Sequence, residues 1–319
     1  MDIADDLDNE WGVDILIPDE TNAVDGCMKT MKRKLQKLTS SNRFICESFN
    51  MSGSSATVNA IANACDGNMD TCLIACGSYV SGDSGGFQSW STSAWSKELC
   101  TIDINFKKMK TIAKSRTIPL PYHLIAIDDD AQDEYENKCL DLLQTMIIEA
   151  ILNCNPFKAI LLETYLAGCG ATLHDEFLRK LGLLCVKYNI TIIVDEIMTS
   201  VRMRYFLDTE QRPIEFIDAV SFVTVGKWSL VEVVFKNRTN KFIESLNKTT
   251  KGLVNRGASY EFNLAFIEHR IDAAAVTMSL ANTRRELVQK FLNVKECDCW
   301  GKGAFLFCHV SKYDSKLNF

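Results

Sequence analysis

The sequence predicts an α/β protein in which a mostly parallel sheet lies between helices. Two observations support this fold class. Short apolar runs recur along the chain, and longer segments with apolar residues at helical spacing separate them. The runs are apolar on both faces and often β-branched, as expected for strands that are covered on both sides of a parallel sheet.

Five of these runs are predicted strands, and two of the segments between them are predicted helices. The predicted strands are TCLIAC (71–76), KAILLE (158–163), ITIIVDE (190–196), AVSFVTV (219–225) and LVEVVF (230–235). The predicted helices are DEYENKCLDLLQTMIIEAIL (133–152) and HDEFLRKLGLLCVKY (174–188). Because strands and helices alternate, we expect a doubly wound sheet.

The C-terminal part of the sequence has a different pattern. Two helical stretches, at about residues 261–279 and 282–293, lead to a predicted strand, GAFLFCHV (303–310). We therefore expect three parts in the chain: an N-terminal segment at 1–45, a large domain at 46–270 and a small C-terminal domain at 271–319.

Composition argues against several classes of function. The formal net charge of −6 argues against a nucleic-acid-binding surface, which needs a basic footprint. No apolar run approaches the roughly 18 residues of a membrane span, and the acidic start MDIADDLDNE is the reverse of a signal peptide. The 13 cysteines are odd in number and scattered, which favours reduced thiols. We expect a cytoplasmic protein with no nucleic-acid or membrane partner.

Two carboxylates directly follow an apolar strand in IIVDEIMTS (192–200). Ligands of such sheets bind beyond the carboxyl ends of the strands, so Asp195 is predicted to lie at the mouth of a site. An aspartate there is able to ligate a metal, act as a base, pair with a cationic group of a ligand or cap the following turn. Along an extended strand, Ile197 faces the same side as Asp195, whereas Glu196 faces the other side and orients a turn or a neighbouring chain.

A hydroxyl-rich turn runs into an amphipathic helix in SGSSATVNAIANA (52–64). Backbone N–H groups at the start of this helix, with the hydroxyls of Ser52, Ser54 and Ser55, are suited to bind a phosphate dianion. The same Ser-Gly-Ser pattern is also ordinary N-cap chemistry.

Lys227 follows a predicted strand and a glycine in VTVGKWS (223–229). A lysine at a strand end is ordinarily solvated, but a lysine in an apolar pocket has a lowered pKa and is able to form a Schiff base. The chain thus carries, in order, a phosphate-binding turn, a strand-end aspartate and a lysine. Pyridoxal 5′-phosphate (PLP), which has a phosphate, a pyridinium nitrogen and an aldehyde, is a cofactor that uses all three.

From about residue 46 to 270 the sequence resembles the class III, ornithine/GABA-type aminotransferases, which are PLP-dependent enzymes of fold type I. SGSSATVNAIANA resembles the phosphate turn and helix of this family, and GSYVSG (77–82) resembles its Tyr-His-Gly element. Residues 159–200 resemble its Glu-Pro strand, Gly-Gly loop, helix and Asp-Glu-Val-Gln-Thr-Gly strand end, in the same order. VGKW (225–228) then carries the lysine, and ASYEFNLA (258–265) is similar to the Thr-Phe-x-x-Asn-Pro stretch.

The resemblance implies a role for each of these residues. Lys227 is the Schiff-base lysine and moves the proton between the substrate Cα and the cofactor, and Asp195 holds the pyridine nitrogen protonated. Ile197 packs under the ring and Tyr79 stacks on it. Ser259 reaches the phosphate of the neighbouring subunit's cofactor, which implies a homodimer with shared active sites. The implied phosphate-binding residues of the turn are Ser52, Gly53 and Ser54.

Three departures accompany the resemblance. Met198 stands where the family usually has a glutamine that contacts the phenolic oxygen of the ring, and Thr164 replaces the proline after Glu163. CWGKGAFLFCHV (299–310) resembles the first strand of the family's small domain, so we expect a truncated small domain without the family's carboxylate-binding arginine.

The function that the resemblance implies is transamination between a small-molecule amino-group donor and a carbonyl acceptor. Decarboxylation or elimination on the same fold would use the same residues. A degenerate, non-catalytic relative that acts as a binding or interaction protein is the third alternative, because fold-level analogy alone selects the reaction.

Overall fold

The computed structural model describes residues 32–50, 53–75, 117–118, 120–123, 129–168, 170–203, 205–226, 232–240, 276, 278–280, 283, 285–290 and 299–308. Its strands are β1 Phe44–Asn50, β2 Cys72–Ala75, β3 Thr117–Ile118, β4 Ala159–Leu162, β5 Tyr165–Leu166, β6 Ala171–Thr172, β7 Thr191–Glu196, β8 Val220–Val225, β9 Glu232–Asn237, β10 Cys299–Trp300 and β11 Phe307–Cys308. Its helices with defined bounds are α1 Gly53–Ala64, α2 Asp129–Leu152, α3 Asp175–Lys187 and α4 Ile214–Ala219, with 3₁₀ turns at Met69–Thr71 and Asp208–Gln211. Residues 32–36 are also helical, as are the described residues of the two predicted C-terminal helical stretches, 276, 278–280, 283 and 285–290.

A seven-stranded sheet in the order β1-β9-β8-β7-β4-β2-β3 forms the centre of the described structure. Neighbouring strands pair in parallel along β8, β7, β4, β2 and β3, whereas β9 is antiparallel to both β1 and β8. The predicted mostly parallel sheet is therefore confirmed, and each of the five predicted strands is present in it.

The direction of β9 differs from the prediction, because the sequence pattern assigned this strand to the parallel part of the sheet. Only residues 226–231 separate β8 from β9. A parallel crossover needs a dozen or more residues, so this connection permits only an antiparallel return. The edge strand β1, FICESFN, was not predicted, because polar residues interrupt its apolar pattern.

Helices cover both faces of the sheet. On one face, α1 contributes Ala56, Ala60 and Ile61 to a cluster that also contains Ile193 and Phe222. The small alanine side chains let α1 lie close to the strands. On the other face, a larger cluster combines residues of α2, α3 and α4 with alternate residues of β4, β7 and β8. This is the doubly wound arrangement that the alternating pattern predicts.

The larger cluster extends beyond the predicted large domain. Leu35 and Phe44, which we assigned to the N-terminal segment, are fully buried within it. The boundaries of the three expected parts otherwise stay predictions.

The predicted strand 303–310 is wrong over its first half. Residues 303–304 form a turn and 305–306 have no regular structure; among the described residues of this stretch the strand is Phe307–Cys308, paired antiparallel with Cys299–Trp300. Gly303 explains the turn, because its φ of +57° suits glycine and its Cα approaches the turn that follows β7. A Cβ on Gly303 would lie 2.3 Å from the carbonyl oxygen of Arg202.

Candidate functional site

The alternation of side chains along β7 decides where its two carboxylates lie. Ile192 and Val194 belong to the larger cluster, and Ile193 belongs to the cluster under α1. Since successive side chains point to opposite faces, Asp195 faces α1 and Glu196 faces the larger cluster. Both carboxylates stand at the carboxyl end of β7, which is the edge where ligands of parallel sheets bind.

Asp195 is buried at 9% exposure, and three donors on different elements hold its carboxylate. Oδ1 accepts a hydrogen bond from Oγ1 of Thr224 at 3.1 Å and another from the backbone N–H of Ile197 at 3.0 Å. Oδ2 lies 3.3 Å from Oγ1 of Thr57 on α1. Hydrogen bonds donated to a carboxylate stabilise its charged form, so this arrangement suits a fixed anion next to a ligand.

The start of α1 lies against the turn that follows Asp195. A Cβ on Gly53 would be 3.0 Å from Cδ1 of Ile197 and 3.2 Å from its Cγ2, so a larger residue would fit only if the Ile197 side chain shifted by a few tenths of an ångström. The helix start therefore comes close to the residue two positions after Asp195. Helix N-termini favour anions because their first N–H groups have no partner within the helix and the helix dipole is positive there.

The chain that leads to Lys227 is fixed at this edge of the sheet. Val225 pairs in register with Glu196, and Gly226 follows it. The buried hydroxyl of Ser200 accepts a hydrogen bond from the N–H of Gly226 at 3.2 Å and donates one to its carbonyl oxygen at 3.3 Å. The residue before Lys227 is thus tied to the turn that follows Asp195.

Four of the predicted site residues lie outside the described residues, namely Ser52, Tyr79, Lys227 and Ser259. Ser54 lies in the first turn of α1. The structure brings Gly53, Asp195 and Ile197 together at one edge of the sheet. The roles of all these residues in binding a cofactor stay predictions.

The prediction that Glu196 orients a turn is confirmed. Its carboxylate accepts hydrogen bonds from the N–H of Asp208 at 2.9 Å and from the N–H of Thr209 at 2.7 Å, and it also accepts one from the Thr209 hydroxyl. Burial, together with the nearby charge of Asp208, raises the pKa of Glu196 to about 7. This carboxylate fixes the 3₁₀ turn on the face opposite Asp195.

Sequence reasoning missed Thr57, Ser200 and Thr224. One signal for Thr224 was available, because it lies opposite Asp195 if β7 and β8 pair in parallel with this register. Thr57 appeared as one more small residue in a helix, and Ser200 as part of a turn. Their contacts depend on how the elements pack, which their sequence neighbours do not specify.

Within the described residues, no group of three or more His, Cys, Asp or Glu side chains is arranged to hold a metal ion. A search of the same residues finds no helix with the length and apolar character needed to cross a membrane.

Comparison with known proteins gives matches among solved structures. No protein-family model matches the sequence, and a search of curated proteins also gives no match. The structure is similar to lysine aminotransferase from M. tuberculosis, with a TM-score of 0.61 and 14% identity over 87% of this chain and 66% of that one. It is also similar to the taurine:2-oxoglutarate aminotransferase from Bifidobacterium kashiwanohense, with a TM-score of 0.60 and 16% identity over 88% of this chain and 63% of that one.

A third similar structure is an (S)-enantioselective omega-transaminase from Thermomicrobium roseum, with a TM-score of 0.59 and 16% identity over 88% of this chain and 64% of that one. The chain thus spans about two thirds of the length of these aminotransferases. At such low identity the likeness concerns the fold. The chain has the fold of the class III aminotransferases, which is fold type I of the PLP-dependent transferases.

Proposed function

We propose that this protein binds PLP and transfers an amino group between a small-molecule amine or amino acid and a carbonyl acceptor. The single observation that carries the proposal is the environment of Asp195. Its buried carboxylate faces α1, and hydroxyls from α1 and β8 hold it next to the start of that helix. A fixed carboxylate beside a phosphate-binding helix start suits a ligand with both a cationic ring nitrogen and a phosphate.

The described residues fit this cofactor at two points. Asp195 supplies a charge that would stabilise a protonated ring nitrogen. Gly53 supplies a helix start that packs closely against Ile197, and the backbone N–H groups of a helix start are donors suited to an anion. When bound, PLP supplies an electron sink for the pair released at the substrate Cα.

The residues of this chain would divide the remaining work between them. Asp195 would keep the ring nitrogen charged, and Ile197 would form the apolar floor under the ring. Lys227 would bond to the aldehyde of the cofactor with loss of water; once the substrate amino group had displaced it, its free amine would move the proton at the substrate Cα. Tyr79 would cover the ring from the other side, and the turn residues Ser52, Gly53 and Ser54 would bind the phosphate.

The first test is absorption by the purified protein with added PLP. We expect a visible band and a yellow protein, and we expect Lys227→Ala to lose the band while its far-ultraviolet circular dichroism stays that of the wild type. Lys236→Ala is a matched control, because Lys236 is a half-buried lysine on β9 and should keep the band. A colourless wild type that stays colourless with PLP would favour a non-catalytic binding protein instead.

The second test separates the reactions. An aminotransferase loses the visible band when an amino donor is added and regains it when a carbonyl acceptor such as 2-oxoglutarate follows. A decarboxylase or lyase releases carbon dioxide or a leaving group without this exchange. The nature of the product therefore distinguishes transamination from the alternatives that share the same residues.

We also propose a homodimer with shared active sites in the cytoplasm. The support is the sequence pattern around Ser259, which resembles the family segment that reaches the neighbouring cofactor, together with the acidic composition of the chain. Sedimentation of the protein with and without PLP measures the assembly state.

A further inference from the structure

Thr57 lies one turn into α1 and faces two acceptors at once. Its Oγ1 is 3.0 Å from the carbonyl oxygen of Gly53 and 3.3 Å from Oδ2 of Asp195. The side chain is buried at 4% exposure, and its contact with Asp195 is buried as well. One hydroxyl thus joins the first residue of α1 to the carboxylate at the end of β7.

The chemistry of this contact has a defined direction. A hydroxyl has one proton, and an ionised carboxylate only accepts hydrogen bonds. Any hydrogen bond between Thr57 and an ionised Asp195 is therefore donated by Thr57. Bonds to charged acceptors are about twice as strong as neutral ones, so the carboxylate competes well for this proton with the carbonyl oxygen of Gly53.

The other oxygen of Asp195 is held independently. Thr224 and the N–H of Ile197 both donate to Oδ1, and both belong to the sheet or to the turn that follows it. Thr57 belongs to α1, which is the helix at whose start Gly53 lies. Removing the Thr57 hydroxyl would therefore leave Oδ2 without its donor from the helix, while the donors to Oδ1 stay in place.

We propose that Thr57 is a positioning residue, which aims the carboxylate of Asp195 at the ring nitrogen of PLP and fixes its position relative to the phosphate-binding start of α1. The inference rests on the proposed function. It adds a specific consequence: the contribution of Thr57 to cofactor affinity acts through the ring nitrogen. A ligand without that nitrogen should therefore be insensitive to the Thr57 hydroxyl.

The test measures the affinity of the full-length protein for PLP and for the analogue in which carbon replaces the ring nitrogen. Thr57→Val removes the hydroxyl and keeps the shape, and Thr57→Ser keeps the hydroxyl. Thr191→Val is the matched control, because Thr191 is a buried threonine at the amino end of β7 whose hydroxyl binds the carbonyl oxygen of Ala219.

We expect Thr57→Val to weaken binding of PLP by about tenfold, the loss of one hydrogen bond to a charged group. Binding of the carbon analogue should change less than about twofold, since it has no ring nitrogen to engage the carboxylate. Thr57→Ser should restore wild-type affinity for PLP, and Thr191→Val should leave both affinities unchanged. If Thr57→Val does not fold, Thr57→Ala replaces it under the same expectations.

Equal weakening of both ligands would overturn the inference, because it would make Thr57 a support of the helix alone. Unchanged PLP affinity in a folded variant would overturn it as well. A wild type that binds neither ligand would instead refute the proposed function, and the inference with it. The two failures are therefore distinguishable.

Discussion

Asp195 and Glu196 are neighbours in the chain, but their surroundings give them different tasks. Glu196 points into the larger cluster and accepts hydrogen bonds from Asp208 and Thr209, so it fixes a turn. Asp195 points towards α1 at the edge of the sheet where ligands bind, and threonine hydroxyls hold it. The one-residue alternation of a strand is enough to place one carboxylate where it fixes a turn and the next where it faces the start of α1.

Asp195→Asn tests this separation. Asparagine keeps the shape of the side chain and removes its charge, so we expect PLP still to bind. The rate at which the bound cofactor loses its visible band on mixing with a reactive amine should fall by about 10²-fold or more, since a buried charge stabilises the reaction electrostatically. Stopped-flow absorption measures this rate.

Glu196→Gln is the control for that experiment. It removes a carboxylate from the adjacent position, and we expect lower stability with an unchanged rate. A wild-type rate in Asp195→Asn would mean that the carboxylate is structural, and a slow rate in both variants would mean that the turn itself matters for the reaction.

At the residue scale, the sequence predicted the acceptor but not its donors. Asp195 was identified because a carboxylate directly after an apolar run is unusual, and Lys227 because it follows a strand and a glycine. Thr57 is 138 positions from Asp195, and Thr224 is 29 positions away. A hydroxyl's partner depends on packing between elements, and the local pattern around a threonine in a helix contains no signal for it.

Helix α3 shows how an element depends on a single small residue. Gly182 is in the middle of α3, where glycine is unfavourable to the helix itself by about 1 kcal/mol. Glycine is needed here because α3 packs closely against α4. A Cβ at position 182 would lie 2.3 Å from the carbonyl oxygen of Glu215 and 2.6 Å from the backbone N of Phe216. The missing side chain lets the two helices touch through their main chains.

Gly182→Ala should therefore destabilise the protein despite the better helix propensity of alanine. The atoms in the way belong to the backbone, so α4 must shift, and we expect a net loss of about 1–3 kcal/mol in the free energy of unfolding. Urea unfolding followed by circular dichroism measures this loss. Leu183→Ala, at an exposed neighbouring position, should change stability by less than about 0.5 kcal/mol. An equally stable or more stable Gly182→Ala would contradict the close approach.

At the element scale, the apolar runs were sufficient to predict the central strands, because strands covered on both faces have no alternation to obscure them. The direction of β9 followed from the length of the connection at 226–231, which the pattern of the strand itself does not contain. Residues 303–306 were predicted as part of a strand because their apolar residues follow the same pattern. The positive φ of Gly303 is incompatible with an extended strand at this position.

The stability of the whole molecule depends on pH through two buried titratable groups, His123 and Glu196. His123 is buried and its ring lies 3.7 Å, between centroids, from that of His174. Burial, with smaller effects of His174 and Lys302, lowers the pKa of His123 from 6.5 to about 4. Between these values the unfolded chain binds a proton that the folded protein does not, so this histidine makes stability fall as the pH falls through that interval.

Glu196 acts in the opposite direction. Its pKa is raised by burial from 4.5 to about 7, so between these values the folded protein retains a proton that the unfolded chain has lost. The stability contributed by this proton is fully present below about pH 4.5 and is lost as the pH rises through about 7. The two groups therefore oppose each other over most of the interval from pH 4.5 to 6.5.

Unfolding by urea at a series of pH values from about 4 to 8 separates the two contributions, since each variant removes one titration. Relative to His123→Gln, the wild type should lose about 2–3 kcal/mol more stability as the pH falls from about 6.5 to 4. Relative to Glu196→Gln, the wild type should lose a similar amount as the pH rises from about 4.5 to 7, and the two curves should run parallel above that. Combining the variants should give the flattest profile, because the groups lie on separate elements and their effects should add. Parallel curves for the wild type and either variant throughout the range would show that the substituted group titrates alike in the folded and unfolded chain.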